Sequence, residues 1–304
     1  MEKEIIQALR AIGTTLSPET IGATVKLLAS HAIRPENSNL IERDHMYGPH
    51  VRHRLDVFRP DAVTTRRRPA FVFVHGGGFI GGDKGTSDAP FYSNVGAWAA
   101  KQGWVGVTLT YRLAPEFKWP AGSDDLETAI DWLTDHGETF GIDPAQIILC
   151  GQSAGATHVA GYVTRPRAAQ TLAGAIMLSG IYDLVNDDTS PMETAYYGKD
   201  MNSYAAASTC TALPMLSIPC LYSVSEMDPP KFQRQAAALV QAHITSNKTW
   251  PRLEYLRGHN HLSPVQLLGT DGDYVGSLIA SFVNEVLELT PLAFPQQRKK
   301  VTRP

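Results

Sequence analysis

Residues 146–155 leave this chain few folds to choose from: Gln146-Ile147-Ile148-Leu149-Cys150 runs straight into Gly151-Gln152-Ser153-Ala154-Gly155. The first five residues read as a strand, and the small residues after Gly155 read as a helix, so the pentapeptide is a strand-to-helix turn. A turn that tight crowds any side chain beside the serine against strand and helix, which explains a glycine on each flank. Ser153 is thereby pushed out above the edge of a sheet, where its oxygen can reach a carbonyl. Small residues also gather in ordinary turns of this kind, so the reading depends on the rest of the chain.

The rest alternates. Ala70 to Val74 is wholly apolar, with β-branched Val72 and Val74, the mark of a strand covered on both faces, whereas Arg52 to Arg59 alternates like an outer strand. Helical Phe91 to Gln102 precedes strand Val105 to Tyr111, helix Asp124 to His136 precedes the strand at Gln146, and helix Ala154 to Thr164 precedes strand Leu172 to Ser179. Strand Pro219 to Val224, helix Lys231 to Thr245, strand Arg252 to Leu256 and helix Asp273 to Leu289 complete the series. Such a pattern implies a doubly wound, mostly parallel sheet with its ligands at the carboxyl ends of the strands. Two stretches fall outside the rhythm. Residues 3–31 read as two helices, the second opening at Ser17-Pro18, and their apolar faces must dock elsewhere, covering a cleft being one option. The interval 183–217, rich in Tyr, Met, Ser and Thr, reads as an insertion hanging over the active edge. The expected layout is therefore 1–40 as N-terminal helices forming part of a cap, 41–182 and 218–290 as the core, 183–217 as lid, and 291–304 as a frayed tail.

Composition narrows the function by exclusion. With 43% hydrophobic and 19% charged residues over 304 positions, this is the make-up of an ordinary globular protein. A net charge of -3 and no basic run longer than Arg66-Arg67-Arg68 offer no footing for nucleic acid. No apolar run nears the ~20 residues that cross a bilayer. Glu2 and Glu4 interrupt the start where an export signal would be basic and then apolar. Cys150, Cys210 and Cys220 have neither the even number of a disulfide framework nor the spacing of a zinc site, so reduced thiols, no metal and a cytoplasmic setting are expected.

Three further stretches carry chemistry. After the strand ending at Val74 comes His75-Gly76-Gly77-Gly78-Phe79, whose glycines let N–H groups converge on one point, as an oxyanion requires. Gly77, Gly78 and Ala154 are the expected donors, and His75 is expected to brace the loop by hydrogen bonds. The same letters, Gly76-x-Gly78-x-x-Gly81, fit a dinucleotide fingerprint, but no helix opens within them and the next strand ends without an acid. A serine needs a base and the base an orienting acid, in the order serine, acid, histidine on this fold. Asp228 lies beyond a strand end and is the leading acid, with Glu226 and Asp183 as rivals. His259 and His261 are both candidate bases, one of them expected to be merely solvated.

Taken together, the His75–Phe79 loop, Tyr111-Arg112-Leu113-Ala114-Pro115-Glu116, Gly141-Ile142-Asp143-Pro144, the Ser153 turn, Asp228-Pro229-Pro230 and His261-Leu262-Ser263 give the chain a strong resemblance to α/β-hydrolases of the hormone-sensitive-lipase-like esterase group. The resemblance implies an eight-stranded, mostly parallel sheet flanked by helices with a helical cap. It also implies a catalytic triad of Ser153, Asp228 and His261, the histidine chosen because the group's base stands just before a Leu/Phe-Ser pair. Gln152, where many members carry an acid, and Thr110 before Tyr111 are departures. The implied activity is that of a cofactor-free serine carboxylesterase acting on small to medium esters. Phe79, Tyr182, Met192, Tyr196 and Tyr197 are expected as pocket or lid residues, with plain packing as the competing account of each. Aryl formamidase or amidase chemistry on the same triad is the alternative, and a non-catalytic small-molecule receptor is a more distant one, opposed by the retained His261. A homodimer is left open by the sequence.

Overall fold

A computed structural model describes residues 3–34, 40–62, 65–89 and 91–289. The expected tail, 291–304, lies outside the described residues. Two helices come first, α1 (Lys3–Ile12) and α2 (Pro18–Leu28), and Ser17 caps the second by accepting the Thr20 N–H. The strands are β1 (Ile41–Met46), β2 (Arg54–Phe58), β3 (Arg68–Val74), β4 (Val105–Leu109), β5 (Ile142–Gln152), β6 (Gly174–Leu178), β7 (Cys220–Met227) and β8 (Leu253–Asn260). Between and after them stand α3 (Ser93–Lys101), α4 (Ala121–Phe140), α5 (Ala154–Val163), the short α6 (Ala168–Thr171), α7 (Pro191–Tyr197), α8 (Met201–Ala207), α9 (Pro230–Asn247), α10 (Ser263–Gln266) and α11 (Tyr274–Leu289).

The strands form one eight-stranded sheet in the order β1-β2-β4-β3-β5-β6-β7-β8, antiparallel at β1–β2 and β2–β4 and parallel from there on. The apolar run of β3 owes its place at the centre to burial on both faces. Val72 and Val74 point into a core layer shared with Leu126, Ile130 and Val159 of α4 and α5, and Phe71 and Phe73 point the other way, toward Val95, Trp98, Ile279 and Phe282 of α3 and α11. Each such side chain contributes about 1.5–3 kcal/mol by leaving water. The edge pair is braced differently: the fully buried Asp56 of β2 meets Lys84 at 2.8 Å and Arg43 of β1 at 2.6 Å.

Strand β1 belongs to none of the seven runs picked out of the sequence. Its letters, Ile-Glu-Arg-Asp-His-Met, lack an apolar face because it is an edge strand only half covered. The N-terminal helices lie against β8 and the turn after it. Ile5, Leu9 and Leu28 pack with Met227 and Leu267, Arg10 pairs with Glu226, and Thr24 accepts a hydrogen bond from Asn260. Parallel strands β3, β5, β7 and β8 all end at one edge of the sheet, which brings together loops far apart in sequence.

Candidate active site

At the end of β5 the backbone turns through Ser153, held at φ 56°, ψ -122°, directly into α5. Non-glycine residues seldom adopt a positive φ. The flanking glycines are compelled by contact. A Cβ on Gly151 would fall 2.4 Å from the Gly155 oxygen, and one on Gly155 would fall 2.2 Å from the Val74 oxygen. The Ser153 N–H donates to the Leu178 carbonyl at 2.9 Å, fixing the turn to the neighbouring strand end.

Three side chains from three strand ends then meet. Ser153 Oγ lies 2.8 Å from His261 Nε2, and His261 Nδ1 lies 2.5 Å from Asp228 Oδ1. With Asp228 ionised, Nδ1–H donates to it, which leaves Nε2 free to accept from the serine hydroxyl. Asp228 and His261 are both buried, and the Phe232 ring covers the imidazole at 4.3 Å between centroids. The rival acids serve other partners. Glu226 accepts the Gly258 N–H at 2.7 Å and pairs with Arg10, interactions that hold its carboxyl below the usual range. Asp183 accepts the N–H groups of Val185 and Asn186 within its own turn. Neither histidine of the pair is solvated, which corrects the expectation: His259 is as buried as His261 because β8 runs on to Asn260 and carries it into the interior. Its Nδ1 faces Ser263 Oγ at 2.9 Å, outside the relay, and burial lowers its pKa to about 4.

The glycine loop starts against the serine, since a Cβ on Gly76 would fall 3.1 Å from the Ser153 Cβ. Gly77 and Gly78 sit at φ 133° and 60°, and Gly77 could bear no side chain, since a Cβ would fall 2.1 Å from the Gly81 oxygen. Among the described residues neither N–H donates to another backbone group. Ala154, whose N–H opens α5, is buried in one apolar cluster with Phe79, Tyr196, Tyr197 and Phe232. His75 is buried and its pKa is lowered to about 3, chiefly by burial, so it stays neutral, donating to the Gly76 carbonyl at 2.6 Å and stacking on Tyr111.

Of the expected pocket residues, Phe79 stacks face to face on Tyr196 at 4.8 Å and meets Tyr197 edge-on, while Met192 packs its sulfur over Gly78 and stays partly exposed. Tyr182 does not join them. It is buried in the main core against Tyr222, while its neighbours Ile181 and Leu184 pack with Phe79 and Tyr196, and Gln235 takes up the Tyr182 N–H. Two contributors escaped the sequence reading. The buried Gln152 amide donates to the His261 carbonyl at 2.8 Å, and the Ser179 hydroxyl donates to Asp228 Oδ2 at 2.6 Å. Gln152 stood out only as a departure from a motif, and Ser179 gave no signal at all. Among the described residues no group of three His, Cys, Asp or Glu side chains could hold a metal ion, and no helix is long and apolar enough to cross a membrane.

Esterase LipC of Mycobacterium tuberculosis is 34% identical over 110 residues, 36% of this chain and 26% of that protein. Esterase LipI of the same organism is 39% identical over 109 residues, covering 36% and 32%, so the chain matches only about a quarter to a third of the length of these relatives. Among solved structures, a hyperthermophilic esterase from the archaeon Pyrobaculum calidifontis superposes with a TM-score of 0.71 at 21% identity, covering 94% of this chain and 99% of that one. Esterase B from Lactobacillus rhamnosis gives 0.73 at 16% identity, covering 94% and 96%, and at such identities the likeness speaks for the fold. A family model described as alpha/beta hydrolase fold matches residues 71–241, more than half of the sequence, and the chain therefore belongs to that family.

Proposed function

We propose that the chain is a serine hydrolase of carboxylic esters, and the observation that carries the reading is the unbroken Ser153–His261–Asp228 relay at 2.8 and 2.5 Å. Ser153 Oγ attacks the ester carbonyl as His261 Nε2 takes its proton, and Asp228 holds the resulting imidazolium in place. The N–H groups of Gly77, Gly78 and Ala154 receive the oxyanion. His261 returns the proton to the leaving alcohol, an acyl group remains on Ser153, and a water activated by the same imidazole releases it. The relatives named as esterases support ester chemistry for this chain. Segment 183–217 serves as the lid in this reading, supported by Met192, Tyr196 and Tyr197 standing against Gly78 and Phe79. The partly exposed Met192 beside Gly78 and the closely stacked rings favour small to medium acyl groups.

The test is a panel of nitrophenyl esters of increasing acyl length beside an arylformamide, with Ser153→Ala as the control. Turnover of short esters by the wild type, its loss in Ser153→Ala and labelling of Ser153 by a fluorophosphonate are expected. Faster turnover of the arylformamide moves the reading to amide chemistry, and activity surviving in Ser153→Ala overturns it.

A further inference from the structure

We propose that Ser179 is a positioning residue of this relay: its hydroxyl holds Asp228 in the orientation and charge distribution that His261 requires. The inference rests on the hydrolase reading above and concerns a residue outside the triad.

Asp228 offers two oxygens with different duties. Oδ1 faces His261, and Oδ2 accepts two donors, the Ser179 hydroxyl and the Ser225 N–H, each at 2.6 Å. Two short bonds to one oxygen fix the carboxylate rotamer and draw charge toward Oδ2. Other hydroxyls are close in sequence, but among the described residues those of Ser223 and Ser225 are buried without a hydrogen-bond partner, so the duty falls to Ser179. The backbone supplies an independent argument. Ser179 follows β6 at φ 50°, a conformation glycine adopts freely and serine does not. Its N–H donates to the Ser223 carbonyl, and the Leu178 carbonyl before it accepts the Ser153 N–H, so the conformation is imposed from both neighbouring strands. A site whose backbone suits glycine keeps serine, and the hydroxyl is what glycine would lack; strain kept in this way marks a functional position.

Ser179→Gly and Ser179→Ala separate the two properties, because both remove the hydroxyl while only glycine relieves the backbone. With a short-chain nitrophenyl ester, both variants should lose about tenfold to a hundredfold in kcat, as expected for a hydrogen bond to a charged group, while KM changes by about twofold or less. Among the described residues Asp228 is the charged side chain bonded to His261, and the Ser153 hydroxyl, the Gln152 amide and the Phe232 ring also meet it. Thermal melts should rank Ser179→Gly above Ser179→Ala. Wild-type kcat in both variants, or loss in alanine but not glycine, overturns the proposal. Should the wild type turn over no ester, the hydrolase reading fails on its own, and the downfield proton resonance between His261 and Asp228 still decides. Displacement of that resonance in both variants upholds the role of Ser179, and an unchanged resonance overturns it.

Discussion

Replacing Gly155 by alanine should damage the site through the main chain alone. The added Cβ would sit 2.2 Å from the Val74 oxygen, 2.8 Å from the Val74 carbonyl carbon and 2.6 Å from the His75 oxygen. All three are backbone atoms at the end of the central strand, so no side chain can swing away. Relief requires the start of α5 and the end of β3 to part by roughly 1 Å before carbon and oxygen regain ordinary contact. Those two segments carry Ala154 on one side and the loop to Gly77 and Gly78 on the other, so the proposed oxyanion donors diverge by a similar amount. Misplacement of about 1 Å costs on the order of 10²-fold in rate, and overpacking of this kind costs about 1–3 kcal/mol in stability. Measuring kcat on a nitrophenyl ester together with the urea midpoint tests both. Gly22→Ala is the control: it lies in α2 with nothing among the described residues within 4 Å of the added carbon, so it should gain up to about 1 kcal/mol and leave kcat unchanged. A Gly155→Ala protein with the wild-type urea midpoint and a kcat within about threefold would refute the reasoning.

His261→Gln should lower kcat by several orders of magnitude while His259→Gln costs about tenfold or less, since only the former bonds to both Ser153 and Asp228; the reverse ranking, measured on one ester, would move the base to His259. Gln152→Leu leaves the His261 carbonyl without its donor in a buried site and should cost about 1–3 kcal/mol in stability, and an unchanged melting temperature would show the bond to be dispensable. Burial holds His75 and His158 at about 3 and His259 at about 4, below the ordinary value of 6.5. The unfolded chain therefore takes up protons first as pH falls, so this stability is complete above pH 6.5 and is lost toward the folded values, at about 1.4 kcal/mol per pH unit for each histidine. Urea midpoints that stay flat from about pH 7 to about pH 4 would contradict it.

What the sequence made legible follows from what each residue interacts with. Ala70 to Val74 announced a central strand because burial on both faces leaves no polar letter in the run, and the Gly151 and Gly155 pair announced a turn because backbone contact forbids anything larger. Strand β1 was silent because a half-covered edge strand held by Arg43–Asp56 reads as polar chain. His259 looked like a loop histidine because the apolar part of β8 stops at Leu256 while its extended backbone continues to Asn260. Tyr182 misled in the opposite sense, since an aromatic residue near a strand end suits a pocket or a core equally, and this one packs in the core against Tyr222. Gln152 and Ser179 act through single long-range hydrogen bonds, to residues 109 and 49 positions away, and no local pattern encodes such a pairing.

The arrangement of the sheet has a consequence for the order of synthesis. Ser153 and His261 are 108 residues apart, and the strand that leads into the histidine is, among the described residues, the last in both sequence and sheet order. On the proposed mechanism a ribosome thus completes Ser153 and the glycine loop well before His261 exists, and a chain stalled or cleaved between them would have no means of activating the serine. Turnover in a crude extract would then count only molecules whose final strand has docked, making ester hydrolysis a readout of finished folding rather than of chain abundance.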